Sequence, residues 1–305
     1  MERQTKSLRA RIQMDTANCI ACGQPVTEPW LIRCKDLYML TPYIVDYGVC
    51  RECQLVQQVP IPHETQSFYP KSYPMHHLRG KIFSLARKFM IRGVYFEPGE
   101  KATGAIVMDF GCGDGAYLQS IRGKVGRGLG FEASSEQAHH IRNHLGCDVY
   151  SSLTQAGEDL EAGVDIVTAH FVLEHLTDLH STFRFWHRIL KPGGTLHLVV
   201  PNVRSWEARL FGKKWHGLDA PRHISFPDEH SIVKLAEKHG FLITDRRNGI
   251  FPNTWSASLT TVFAGRYQHA LFLALMPLSF VLSYLLPQST AVFQLNKSCS
   301  HPLKG

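Results

Sequence analysis

Long hydrophobic runs are scarce in this 305-residue chain. One stretch, Ala270–Leu286 (ALFLALMPLSFVLSYLL), comes near a membrane span, but it has 17 residues and Pro277 interrupts it. A spanning helix needs about 20 apolar residues, so the stretch argues against a crossing. Runs of one charge are missing too. The 33 Lys and Arg are scattered, and the formal net charge of +7 reads as a basic but ordinary surface rather than a polycationic tract. The leading MERQTKSLRARIQ has no apolar core of the secretory kind, so cytoplasmic residence is expected. The eight cysteines are then not expected to be disulfides. Neither repeats nor low-complexity tracts occur. With 44% hydrophobic and 19% charged residues the composition excludes a disordered chain.

What is present falls into four parts. Residues 1–17 form a polar, basic tail, and 18–75 are rich in Cys, Pro and Tyr without helical periodicity. Residues 76–104 are a linker, in which Ile82, Leu85 and Phe89 share one face of a helix over 78–96 that ends at Pro98-Gly99. From 105 to 305 strands alternate with helices. Ala105–Phe110, Gly128–Phe131, Val164–His170 and Thr195–Val200 are apolar runs suited to buried parallel strands. Leu179, Phe183, Trp186 and Leu190 make one helical face, and Ile232, Leu235, Ala236 and His239 another. Asp228 is positioned as the N-cap of the second helix, with Gly240 just beyond its end. The fold class is α/β, a doubly wound parallel sheet. Phe241–Arg247 and Ala291–Lys297 fit its last two strands, with an apolar insertion over 249–288 between them.

The most informative segment, Asp109-Phe-Gly111-Cys112-Gly113-Asp114-Gly115, follows the first strand of this sheet and leads into a helix. Glycines there let the backbone turn tightly and let a ligand approach, while the helix N-terminus offers free N–H groups. Glu132 closes the next strand 21 residues beyond Gly111, a position suited to hydrogen-bonding both ribose hydroxyls of an adenosine. The pattern D-x-G-x-G-x-G differs from the dinucleotide fingerprint and resembles motif I of class I S-adenosylmethionine-dependent methyltransferases. His170-Phe-Val-Leu-Glu174-His175-Leu is similar to that family's loop beneath the transferred methyl, and Leu190-Lys-Pro-Gly-Gly194 to the turn before its fifth strand. The resemblance implies a Rossmann-like methyltransferase sheet that binds S-adenosylmethionine. It would place the methionine part over Gly111 and Gly113 and the ribose on Glu132, with Asp109, Cys112, Asp114, Gly115 and His170 completing the cofactor site.

Cys19-x-x-Cys22 and Cys50-x-x-Cys53 are two pairs separated by 27 residues. Two such knuckles complete a tetrahedral four-thiolate site, which is closed and therefore structural, so zinc is expected in a small zinc-ribbon-like module. Cys34 lies in the gap as an alternative ligand. With the following Phe68-Tyr69-Pro-Lys-Ser-Tyr73, the segment resembles the N-terminal module of sugar C-methyltransferases acting on nucleotide-linked deoxysugars. The further large C-terminal domain of those enzymes has no counterpart here, so their substrate is not carried over.

Methyl transfer requires a positioned nucleophile and, for many acceptors, a base. The segment Trp215 to His223 resembles the part of small-molecule methyltransferases that covers the acceptor. Trp215, Asp219, Arg222 and His223 are therefore the substrate-binding candidates, and His223 is the first candidate base, with His170 and His175 as runners-up. Arg222 either holds an anionic group of the acceptor or pairs with Asp219 to fix the loop; Tyr69 and Tyr73 either close the pocket or pack the module. Burial of 270–286 as a cap or a homodimer contact is preferred over peripheral membrane contact. The expected acceptor is a small molecule (a sugar, glycan precursor, lipid or secondary metabolite), nucleotide- or lipid-linked forms included. RNA is the alternative, although Ala169-His-Phe-Val172 lacks the motif that stacks a flipped base.

Overall fold

The structure, a computed structural model, describes residues 17–70, 94–286 and 288–299. The expected tail over 1–16, most of the linker helix over 78–96, and Tyr73 lie outside the described residues.

Seven strands form the main sheet: β4 (Ile106–Phe110), β5 (Arg127–Phe131), β6 (Asp148–Tyr150), β7 (Val164–His170), β8 (Leu190–Pro201), β10 (Phe241–Gly249) and β11 (Thr290–Lys297). Their spatial order is β10-β11-β8-β7-β4-β5-β6. Neighbours from β6 to β8 pair in parallel, while β11 is slotted antiparallel between β8 and β10. The strand order departs in opposite directions on either side of β4, to β5 and β6 one way and to β7 and β8 the other, which sets a crevice beyond the carboxyl ends of β4 and β7.

Helices α1 (Ala116–Ile121), α2 (Ser135–Leu145), α3 (Leu153–Asp159), α4 (Leu179–Ile189), α5 (Trp206–Phe211) and α6 (Glu229–Lys238) connect the strands. The apolar face of α4 buries Leu179, Phe183, Trp186 and Ile189, and the Asp178 carboxylate caps its first turn by accepting the Ser181 N–H. Asp228 and Ser231 form a reciprocal capping box at the start of α6, and Gly240 follows its end with φ +71°. Both helices and both closing strands lie where the sequence pattern sets them.

A second, four-stranded antiparallel sheet has the order β1-β2-β3-β9, from β1 (Val26–Lys35), β2 (Ile44–Cys50), β3 (Val56–Gln58) and β9 (Ser225–Phe226). The first three strands come from the cysteine module and the fourth from the methyltransferase part, with Val56 opposite Phe226 and Gln57 opposite Ser225. The module is thus not a satellite on a tether. Its Cys19, Ala21, Cys50 and Cys53 also share one apolar core with Met108, Phe183 and Leu198 of the main sheet and its helices.

The insertion between β10 and β11 folds into two helices, α7 (Asn253–Ala264) and α8 (His269–Leu285). The expectation that 270–286 is a buried cap is corrected here: Leu273, Leu278, Val281, Tyr284 and Leu285 are all exposed, because only the face carrying Ser279 and Ser283 packs on α7. Among the described residues no helix is long and apolar enough to cross a membrane.

Candidate active site

The cofactor half of the crevice is made mainly of backbone. β4 is followed by Gly111, whose φ of +75° favours glycine, and a Cβ there would lie 2.5 Å from Cγ2 of Val172. The Gly111 and Cys112 N–H groups both donate to the Phe131 carbonyl, at 2.8 and 3.0 Å, which folds the loop over β5. Gly113 (φ +54°) faces open space, where even a Cβ would meet nothing within 4 Å. Its N–H donates to Oε2 of Glu132 at 3.1 Å, and Oε1 accepts the Ser134 N–H at 3.0 Å. A carboxylate oxygen has two lone pairs, so Glu132 is oriented by the loop and still has acceptor capacity for ribose hydroxyls. Asp114 Oδ1 accepts the Ala116 N–H at the start of α1, and Asp109 Oδ1 accepts from Thr168 Oγ1 at 2.9 Å beneath the loop. Cys112 is buried, its thiol pushed up by desolvation, and is not poised as a nucleophile. An open glycine cradle beside an oriented carboxylate fits S-adenosylmethionine.

The opposite half is made of four side chains from three distant segments. Glu174 and His175 lie on a short 3₁₀ turn after β7, His223 precedes β9, and Tyr69 follows the 3₁₀ turn Gln66–Phe68 of the cysteine module. A carboxylate oxygen of Glu174 and a ring nitrogen of each histidine lie within 4.8 Å of one another. The His175 and His223 rings meet edge to face at 4.7 Å, and Tyr69 Oη is 3.0 Å from His175 Nδ1. His223 Nδ1 is 2.8 Å from the Gly217 carbonyl and His175 Nδ1 is 3.0 Å from the Arg222 carbonyl. A carbonyl only accepts, so both imidazoles carry their proton on Nδ1 and present Nε2 as a lone pair.

Burial sets the charge of this cluster. It pushes the His223 imidazole down to about 3, reinforced by neighbouring His175, and lowers His175 as well. Both rings are neutral near pH 7. Glu174 is fully buried, neither carboxyl oxygen has a hydrogen-bond partner among the described residues, and desolvation raises it to about 8. The Tyr69 phenol is raised by burial first and then by Asp219, Glu174 and Glu132.

Arg222 lies at the back of the acceptor half, its side chain 0% exposed. It donates to both oxygens of Asp36 at 2.8 and 2.9 Å and to both oxygens of Asp219 at 2.7 and 3.0 Å. Burial would raise the Asp36 carboxyl, but hydrogen bonds from Arg222 and Thr41 outweigh it and hold the group at about 2. These donors face the module, which supports the loop-fixing reading of Arg222. Two more module side chains grip the same segment: Tyr47 Oη donates to the His223 carbonyl at 2.8 Å, and Gln58 Nε2 donates to the Pro221 and His223 carbonyls at 2.6 and 3.0 Å.

The remaining sequence candidates sit elsewhere. The His170 ring is buried at the end of β7, stacked on Tyr95 at 4.2 Å, with its Nε2 accepting the Phe96 N–H at 3.3 Å and its Nδ1 3.5 Å from Asp109 Oδ1, so it lies beside the glycine-loop strand and not in the His175–His223 cluster. Trp215 is buried against Phe226, and with Tyr38, Lys214, His216 and Asp219 it lines a small pocket. Sequence reasoning missed Asp36, Tyr47 and Gln58, which no local motif marks. It quoted Glu174 within a motif without assigning it a role.

In the module, Cys19 and Cys53 Sγ are 3.4 Å apart and Cys22 and Cys50 Sγ 3.5 Å apart, and all four lie within 4.8 Å of one another. A disulfide would need about 2.05 Å. A tetrahedron of ~2.3 Å metal–sulfur bonds has edges of ~3.8 Å, so the cluster has the size and donor chemistry of a structural zinc site. Cys34 is not in it; it packs in a separate cluster with Tyr47 and Trp215, where burial pushes its thiol up to about 12.

The chain belongs to the methyltransferase-domain family, whose model matches residues 82–245. It is 24% identical over 196 residues to the mitochondrial ubiquinone biosynthesis O-methyltransferase of Mus musculus, covering 61% of this chain and 50% of that protein. It is 24% identical over 160 residues to the malonyl-[acyl-carrier protein] O-methyltransferase of Yersinia pestis, covering 51% and 58%. The chain thus spans about half the length of these curated relatives. A solved S-adenosylmethionine-dependent methyltransferase from Archaeoglobus fulgidus aligns with a TM-score of 0.47 at 16% identity, over 71% of this chain and 94% of that one.

Proposed function

We propose that the protein moves the methyl group of S-adenosylmethionine onto a hydroxyl of a small-molecule acceptor, with His223 as the base. The observation that carries this reading is the orientation of His223, whose Nδ1 donates to the Gly217 carbonyl and leaves Nε2 as a lone pair within a cluster with His175, Glu174 and Tyr69. The cofactor supplies an electrophilic methyl on a sulfonium. Glu132 accepts the ribose hydroxyls, and Gly111 and Gly113 give the methionine part room. On the acceptor side, the hydroxyl donates to His223 Nε2, which takes its proton as the oxygen gains the methyl. Tyr69 and His175 orient the acceptor, and the ion pairs of Arg222 with Asp36 and Asp219 fix the loop that carries the base. O-methylation is what the relatives' names describe, one in ubiquinone biosynthesis and one on malonyl-[acyl-carrier protein], and these names favour a small-molecule acceptor over RNA. The four cysteines are assigned to one structural zinc, held by Cys19, Cys22, Cys50 and Cys53.

Calorimetric titration of the purified chain, shown by metal analysis to carry one zinc, tests both halves of this reading. S-adenosylmethionine and S-adenosylhomocysteine should bind, and Glu132→Ala should weaken both at least tenfold, a loss of ~1.4 kcal/mol. Absence of binding by the folded, zinc-loaded protein would overturn the enzyme reading.

A further inference from the structure

Helix α8 is amphipathic the wrong way round for a water-soluble surface helix. Its buried positions include Ser279 and Ser283, both 0% exposed, whereas Leu273, Leu278, Val281, Tyr284 and Leu285 are 48–71% exposed on one continuous stripe. α7 is partly inverted as well. Thr254, Ser256, Ser258, Thr260 and Thr261 are buried beside Trp255 and Ala257, and Phe263 at its outer end is 68% exposed. Hydroxyl groups hold the inside together: the Ser256 N–H donates to Ser279 Oγ at 3.0 Å, and Ser279 Oγ donates to the Pro252 carbonyl. Hydroxyl side chains within and leucines outside are the arrangement expected where the outer solvent is apolar.

The patch continues onto α5, which packs on α7 and exposes Trp206 and Leu210. Its charges have one sign. Among the described residues from Trp206 to Lys214 and from Asn253 to Leu286, the exposed ionic groups are Arg209, Lys213, Lys214 and Arg266. The one acid, Glu207, is 1% exposed and accepts from Ser289 Oγ. A two-fold dimer through this face would set basic rim against basic rim. An anionic surface complements it.

We propose that the α7–α8 hairpin, with the exposed edge of α5, docks the protein in the plane of a bilayer surface that bears anionic headgroups. At 17 residues α8 is about 25 Å long, enough to lie along an interface and too short to span it unaided. The inference does not depend on which acceptor is methylated. The hairpin is, however, bonded to the segment that holds the base. Thr261 Oγ1 donates to the Lys214 carbonyl at 2.6 Å, and Ser258 Oγ accepts the His216 N–H at 2.9 Å, so docking brings that segment near the surface.

Flotation of the full chain with phosphatidylcholine vesicles, with and without phosphatidylglycerol, decides the matter. The protein should float with the anionic vesicles, lose about tenfold or more in partitioning on pure phosphatidylcholine, and dissociate as salt rises. Leu278→Glu with Val281→Glu should abolish flotation. Arg209→Ala with Lys213→Ala and Lys214→Ala should reduce it about tenfold or more, since each cation contributes at the surface. All of these positions are exposed, and unchanged melting curves would show that the variants fold. Two results would overturn the proposal: no flotation with anionic vesicles, or a dimer in sedimentation velocity that the Leu278→Glu, Val281→Glu variant dissociates.

Discussion

The two halves of the crevice are built by different means. The cofactor half takes its shape from one contiguous loop, Gly111 to Gly115, and a single acid at the end of the neighbouring strand. The acceptor half gathers Tyr69, Glu174, His175 and His223 from segments up to 154 residues apart in the chain (223 − 69) and braces them from behind with Asp36, Tyr47 and Gln58. A backbone loop tolerates change wherever its glycines survive. A side-chain assembly depends on every brace, so the two halves should fail differently.

The largest difference is expected from Arg222→Ala. It leaves Asp36 and Asp219 as uncompensated buried carboxylates, a loss of about 3–5 kcal/mol in denaturant unfolding. The acceptor half should suffer first, with cofactor affinity in the folded fraction changing less than about tenfold. Equal loss at both halves would mean that they do not form separate structural units. His223→Gln comes next. It should lower kcat by about 10²–10⁴ while leaving the cofactor dissociation constant alone, and a variant with nearly full kcat would remove His223 as the base. Glu174→Gln is the smallest and concerns pH. The Glu174 carboxyl is raised from an ordinary 4.5 to about 8 in the folded protein, so between those values the native state holds a proton that the unfolded chain has released. Stability from this group therefore falls as pH rises through that window, and the Gln variant escapes the fall. Its unfolding free energy relative to wild type, read from denaturant titrations, should climb from pH 5 to pH 8 by roughly a few kcal/mol at most. Parallel curves would show that Glu174 titrates in the ordinary range.

This contrast also explains what was legible in the sequence. Gly111, Gly113 and Glu132 sit within one strand–turn–helix–strand unit, and local spacing was enough to find them. The four cysteines were equally visible, because each knuckle is two residues with two between them. His223 and Tyr69 were noticed by resemblance, but their meeting with His175 was not readable, since no periodicity relates them. Asp36 carries no sequence signal at all; its importance arises only when β1 ends beside Arg222. The hairpin over α7 and α8 misled for another reason. Its hydrophobicity was plain, yet the preference for burial assumed that apolar residues face inward, and here the serines do.

The pairing of β3 with β9 has a consequence for recombination. Because Val56 and Gln57 align with Phe226 and Ser225, and Gln58 holds the backbone at Pro221 and His223, residues 18–75 are not by themselves a portable cassette. A chimera that exchanges the module while keeping the host's 219–226 segment would join two halves of a sheet that were never cut to match. The natural unit of exchange is the pair, module and acceptor loop inherited together.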